Sequence, residues 1–112
     1  MKIAERLLRI RRAQGEIEVP VRVFAPQRDE ANSWSCRYEI GWPDAPRTRS
    51  IGGFDSVQAL FLALQAIGAE LYTSEHHELG RLIWEKEGDG YGFPVPRTIR
   101  DLLIGDDTIF GG

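Results

Sequence analysis

Apolar and polar residues alternate through most of the first half of the chain, and after Gly53 a helical period replaces the alternation. Residues 3–12 satisfy both periods. As a strand, Ala4, Leu8 and Ile10 share one side and Ile3 and Leu7 the other. As a helix, Ile3, Leu7 and Ile10 with Ala4 and Leu8 form a stripe. Gln14-Gly15 reads as a hairpin turn and the residues after it are extended, so a strand is expected. Across 17–25 the pattern is regular: Ile17, Val19, Val21 and Val23 face one way, Glu18, Pro20 and Arg22 the other. Such β-branched alternation marks a half-buried strand. Pro20 has no N–H to give a ladder, so its position should meet an edge or a bulge.

The polar run 26–33 predicts a connecting loop. A third strand comes at 34–41, with Trp34, Cys36, Tyr38 and Ile40 inside and Ser35, Arg37 and Glu39 outside. Trp42 to Pro46 holds two prolines and predicts a turn. Residues 47–51 form a short fourth strand that Gly52-Gly53 breaks.

The helix over 55–72 is the strongest signal in the chain. Asp55 is a good N-cap, Gln58 stands at capping-box spacing, and Phe54 is placed to pack back on Ala59 as a staple. Val57, Leu60, Phe61, Leu64, Ile67 and Leu71 form the stripe expected to cover the sheet, with Ala59, Ala63 and Ala66 widening it. Gly68 costs a helix interior about 1 kcal/mol relative to alanine, so close packing or a kink is expected there. Beyond Tyr72 a polar turn leads to residues 81–86. Leu79, Leu82 and Ile83 fit a helix there, while Ile83-Trp84 beside the glycines fits a fifth strand, the reading preferred. A glycine-rich loop at 88–94 and a short helix at 98–104 ended by Gly105 follow.

The fold class predicted is α+β. An antiparallel sheet of four or five strands carries one long helix (55–72) on one face, with a short C-terminal helix. Residues 1–105 form a single domain, and 106–112 a frayed acidic tail.

Composition narrows the setting. The chain has 112 residues, 42% of them hydrophobic and 28% charged, within the range of one globular domain. One cysteine excludes an internal disulfide. Charges interrupt the start Met1-Lys-Ile-Ala-Glu-Arg, against a signal peptide, and no apolar run approaches a membrane span. These features predict a cytoplasmic protein. Residues 1–50 carry ten Lys/Arg against seven Asp/Glu (+3), and 51–112 carry four against ten (−6), which sums to the net charge of −3.

Candidate chemistry is sparse. Glu75-His76-His77-Glu78 has zinc-binding residue types, but adjacent histidines diverge and a closed site needs three or four converging ligands, so no metal is expected. Cys36, between Trp34 and Tyr38 on the inner face, reads as a buried structural thiol. Gly52-Gly53 before a helix could hold an anion on free N–H groups, but Asp55 already places a carboxylate there. No catalytic residue and no cofactor is implied. The binding candidates are Tyr91 and Phe93 in the loop Gly88–Pro94, as mobile aromatic anchors, and Arg22, Arg37 and Arg49, assigned with Arg47 to the outer sheet face. Nucleic acid is disfavoured there, because Glu18 and Glu39 interrupt the positive field and Phe24, at a strand end, is the one aromatic available for stacking.

The stretch Gly53-Phe-Asp-Ser-Val-Gln-Ala-Leu, with Trp34-Ser-Cys-Arg-Tyr before it, resembles small uncharacterised bacterial proteins in which strands lead into a Gly-x-Asp-x-x-Gln-Ala-Leu helix start. The likeness spans residues 3–72, carries over no catalytic residue, and implies a stand-alone accessory protein. The sequence therefore predicts a non-enzymatic protein-interaction module, immunity-like or accessory, that meets a protein partner or its own copy. The alternative is a small enzyme or ligand-binding protein with a pocket under the Gly88–Pro94 loop.

Overall fold

The computed structural model describes residues 1–110. Its strands are β1 (Lys2–Arg12), β2 (Gly15–Phe24), β3 (Gln27–Arg28), β4 (Trp34–Ile40), β5 (Arg47–Gly53) and β6 (Leu82–Ile83). Helix α1 (Ser56–Tyr72) comes after β5, and α2 (Glu75–Glu78) precedes β6. A 3₁₀ helix (Arg97–Leu102) and α3 (Asp107–Phe110) complete the described chain.

All pairings are antiparallel. The order is β3-β4-β2-β1-β6, with β5 on β4. Because β5 pairs along all of β4, β2 and β3 share the opposite edge of that strand. The β1–β2 hairpin turns at Ala13-Gln14, between Arg12 and its partner Gly15. Pro20 sits just outside the β2–β4 ladder, which begins at Val21↔Ile40, so no hydrogen bond to β4 is lost there.

The four long strands match the sequence reading, except that β5 runs on through Gly52-Gly53, paired with Ser35 and Trp34. Residues 3–12 are a strand. Six strands replace the expected four or five. Gln27–Arg28 pairs with β4 inside the predicted loop, and the strand at 81–86 contracts to Leu82–Ile83 against β1. The helix expected at 98–104 is a 3₁₀ helix with non-helical backbone at Ile99.

The core lies on one face of the sheet. Leu8, Ile10, Val19, Val21, Val23, Cys36, Tyr38 and Ile40 meet Ala59, Ala63, Ile67 and Leu71 of α1. The buried positions of α1 recur every four residues on the alanine side, so the helix lies close over β4 and β5. Small side chains allow that approach. A Cβ on Gly53 would stand 2.4 Å from the backbone N of Ala59.

This packing corrects the predicted stripe. Ile67 and Leu71 are core, but Val57 and Phe61 face solvent. The cap forms as expected: Asp55 Oδ1 accepts from Gln58 N (2.8 Å), and Gln58 Oε1 accepts from Phe54 N (2.7 Å). The staple does not form, since Phe54 is almost fully exposed and Ala59 turns into the core.

Candidate functional site

Helix α1 covers the β4–β5 side of the sheet. The β1–β2 side is covered by Tyr91–Val95, a strap in which Tyr91, Phe93 and Val95 are buried. The strap crosses α1 at Gly68, where a Cβ would stand 2.0 Å from the carbonyl oxygen of Pro94. The helix interior glycine therefore marks close packing, one of its two expected roles.

The strap is held by a carboxylate. Asp107 is 4% exposed and accepts from the backbone N of Tyr91 (2.9 Å) and of Gly92 (3.0 Å). The Tyr72 hydroxyl donates to the same carboxylate and accepts from Ile104 N at 3.4 Å. Gly90 makes room for this, with φ of 85° and a Cβ position 2.4 Å from Asp107 Oδ2. The segment expected to fray from 106 is thus tied into the protein by a buried anchor. Residues 111–112 of that predicted tail lie outside the described residues.

Around Asp107 the aromatic groups titrate abnormally. Burial first, and Asp107 second, push the Tyr72 and Tyr91 hydroxyls well above the ordinary tyrosine range. His77 Nδ1 meets the Tyr91 hydroxyl, and burial lowers the His77 pKa. The ring centroids of Tyr72 lie 4.9 Å from His77 and 5.0 Å from Tyr91.

Arg6 completes the arrangement from β1. Its register partner is Val21, on the core-facing parity of Ala4, Leu8 and Ile10. Its Nη1 donates to the carbonyls of Tyr91 (3.0 Å) and Gly92 (3.1 Å). The guanidinium lies 3.9 Å from the Trp84 ring centroid and 4.9 Å from that of Phe93. Burial lowers its pKa, opposed by Asp107 and Glu85. Sequence reasoning missed Arg6, although the signal was there: an arginine on the apolar parity of a strand.

Two hollows flank the strap. One, of 210 Å³, opens between α1 and the strap and is walled by Ala4, Val21, Val23, Leu64, Phe93 and Pro94, with Glu5, Gly92 and Arg6. The other, of 520 Å³, lies beyond Trp84 among Glu85, Lys86, Asp89, Gly92, Asp106 and Asp107.

The candidates named from sequence fall in different places. Tyr91 and Phe93 are 2% and 6% exposed, so they anchor the strap inward and are not mobile surface aromatics. Arg22 lies on the outer face, ion-paired with Glu5 (2.7 Å) and Glu39 (3.9 Å). Arg37 lies over the Phe24 ring at 3.9 Å and 3.7 Å from Glu39. Arg49 and Arg47 are not on that face. Pairing with Tyr38 and Ile40 turns both toward α1, where Glu70 lies 3.9 Å from Arg49 and 2.7 Å from Arg47. Glu70 also accepts a hydrogen bond from the Tyr38 hydroxyl, and burial with that carboxylate pushes the Tyr38 pKa up to about 12.

The remaining reactive residue types are engaged structurally. Cys36 is buried, donates from Sγ to Phe24 O (3.2 Å), and has its pKa raised by burial. His76 stacks on Trp42 while the neighbouring His77 turns to Tyr91. Among the described residues no three His, Cys, Asp or Glu side chains come together as a metal site. Also among them, no helix is long and apolar enough to cross a membrane.

What α1 leaves open is a row on its free side. Val57 and Phe61 are 73% and 50% exposed, Leu64 continues the row into the smaller hollow, and Phe54, 93% exposed, lies just before the N-cap. No curated protein and no solved structure matches the chain. Residues 4–95, which run from β1 to the end of the strap, do match a family, and the chain belongs to the domain of unknown function DUF6968.

Proposed function

We propose that this chain is a non-enzymatic protein-interaction module that docks an uncharged, apolar element of a partner protein on the N-terminal half of α1. One observation carries the reading: Val57 and Phe61, one turn apart on a single face of α1, stand open to solvent, and Phe54 just before the helix is exposed as well. Adjoining exposed apolar side chains mark interaction surfaces, and aromatic residues are favoured anchors in them. The chemistry of the partner is set by the charge of the face. Glu70 is the sole charged residue of α1, and Arg47 and Arg49 occupy it on the sheet side. The exposed half offers no ionic contact, so its partner contributes apolar surface.

The test is cross-linking from positions beside the row, with the native chain and with the double variant Val57→Gln/Phe61→Gln. The expected result is a stoichiometric complex whose cross-links map to the row and which the double variant loses. Light scattering identifies a second copy as the partner if the native chain is a dimer and the variant a monomer. A native chain that stays monomeric and yields no row-mapped cross-link overturns the proposal.

A further inference from the structure

The hollow between α1 and the strap has a composition that the docking face lacks. Its walls are mostly apolar, from Ala4, Val21, Val23, Leu64, Phe93 and Pro94, with one cation, Arg6, and one carboxylate, Glu5, which is already paired with Arg22 and Lys2. Among the described residues, Arg12 and Arg28 of the sheet have no carboxylate within ion-pair distance but are exposed, and Arg6 differs from them and from the remaining sheet arginines. Arg9, Arg11, Arg22, Arg37, Arg47 and Arg49 each face a carboxylate within ion-pair distance. Arg6 has no such partner among the described residues, although it is half-buried. Its hydrogen bonds there all leave from Nη1, to two strap carbonyls.

A half-buried guanidinium stays protonated, and part of its hydration is already lost. Two neutral carbonyls and two aromatic rings hold it in place, and the carboxylates of Asp107 and Glu85 act on it only from beyond ion-pair distance. The complement of this group is an anion with planar, two-oxygen geometry. Size limits the body that the anion can carry inward. An apolar cavity of about 150 Å³ accepts benzene, so a hollow of 210 Å³ suits a single ring or a short acyl chain.

We propose that this cleft binds a small monocarboxylate with an apolar body, its carboxylate paired with Arg6 and its body against Val23, Leu64 and Phe93. The site stands apart from the docking row, and neither depends on the other. The same chemistry exists in a free acid and in the C-terminus of a peptide that ends in an apolar residue.

Phenylacetate is the probe, titrated into the native chain and followed by NMR at the Arg6 side chain and the Gly92 amide. Saturable shifts at both are expected, and the neutral isostere 2-phenylethanol should bind at least about tenfold more weakly, because charge-assisted hydrogen bonds are roughly twice as strong as neutral ones. A short peptide ending in phenylalanine distinguishes the two sources. Tighter binding than phenylacetate, lost on C-terminal amidation, assigns the site to chain ends, and weaker binding assigns it to free acids. Arg6→Gln should remove the preference for the acid over the alcohol. Ala4→Phe, at an exposed wall position, should fill the cleft and weaken phenylacetate at least about tenfold while Arg6 remains. Absence of saturable shifts, equal affinity for acid and alcohol, or undiminished binding in Ala4→Phe would each overturn the site.

Discussion

On α1, Val57 and Phe61 stand on the same helical face as Gly68 and Tyr72, since these positions recur at helical spacing. The first pair is open to solvent. The second pair is buried, Gly68 against Pro94 and Tyr72 among Tyr91, His77 and Asp107. Nothing in the helix itself accounts for the difference. It arises because the chain returns over the C-terminal half as the strap and, among the described residues, does not return over the N-terminal half. An apolar stripe states that a surface can be covered, and later segments decide whether this chain covers it.

The covered half is most sensitive at its crossing point. Gly68→Val would drive side-chain carbon into the Pro94 backbone, which cannot yield as a flexible side chain would. Overpacking at a backbone contact should destabilise by about 3 kcal/mol or more. Urea unfolding measures it, and a midpoint unchanged from native would mean that the strap does not press on α1.

Next comes the anchor. Asp107→Ala leaves the Tyr72 hydroxyl and the N–H groups of Tyr91 and Gly92 without their acceptor. The expected loss is about 1–3 kcal/mol for unmet buried donors, with faster amide exchange confined to the strap and its neighbours. Uniform exchange across the sheet would instead show that the strap and the sheet unfold together.

How much of this is legible in the sequence differs by element. Period-two alternation displays β2 and β4, and Asp55 with Gln58 displays the start of α1, because each signal is local. Alternation also shows that Arg47 and Arg49 share a face. It does not show which one, since that depends on their pairing with Ile40 and Tyr38. The strap has no period at all. Its Gly92 and Pro94 read as a loop, and Tyr91 and Phe93 in a loop read as exposed. Asp107 lies in an acidic run that looks solvated, and its role depends on donors sixteen and thirty-five residues away. Of the site, Arg6 alone has a local signature, the break in parity within β1.

A smaller effect comes from His77, which the strap buries beside Tyr91. Its pKa is lowered in the folded protein by burial. The unfolded chain therefore binds the proton more readily. The stability this contributes is present above the ordinary histidine value of about 6.5, and declines as pH falls below it toward the depressed folded value. Thermal melts between about pH 7.5 and about pH 5.5, a window that brackets that ordinary value, should show a falling transition temperature, and His77→Gln should flatten that slope relative to native. An equal slope in the variant would assign the pH response to other groups.

The uncovered half should respond least in stability and most in association. Val57→Gln/Phe61→Gln replaces two solvent-facing apolar side chains by a residue that favours helix as much as or more than either. Surface changes of this kind stay within about 0.5 kcal/mol, so the urea midpoint should match native while the row-mapped complex is lost. A destabilisation approaching that of Asp107→Ala would place Val57 and Phe61 under cover in solution, and the two halves of α1 would then differ in what covers them and not in whether they are covered.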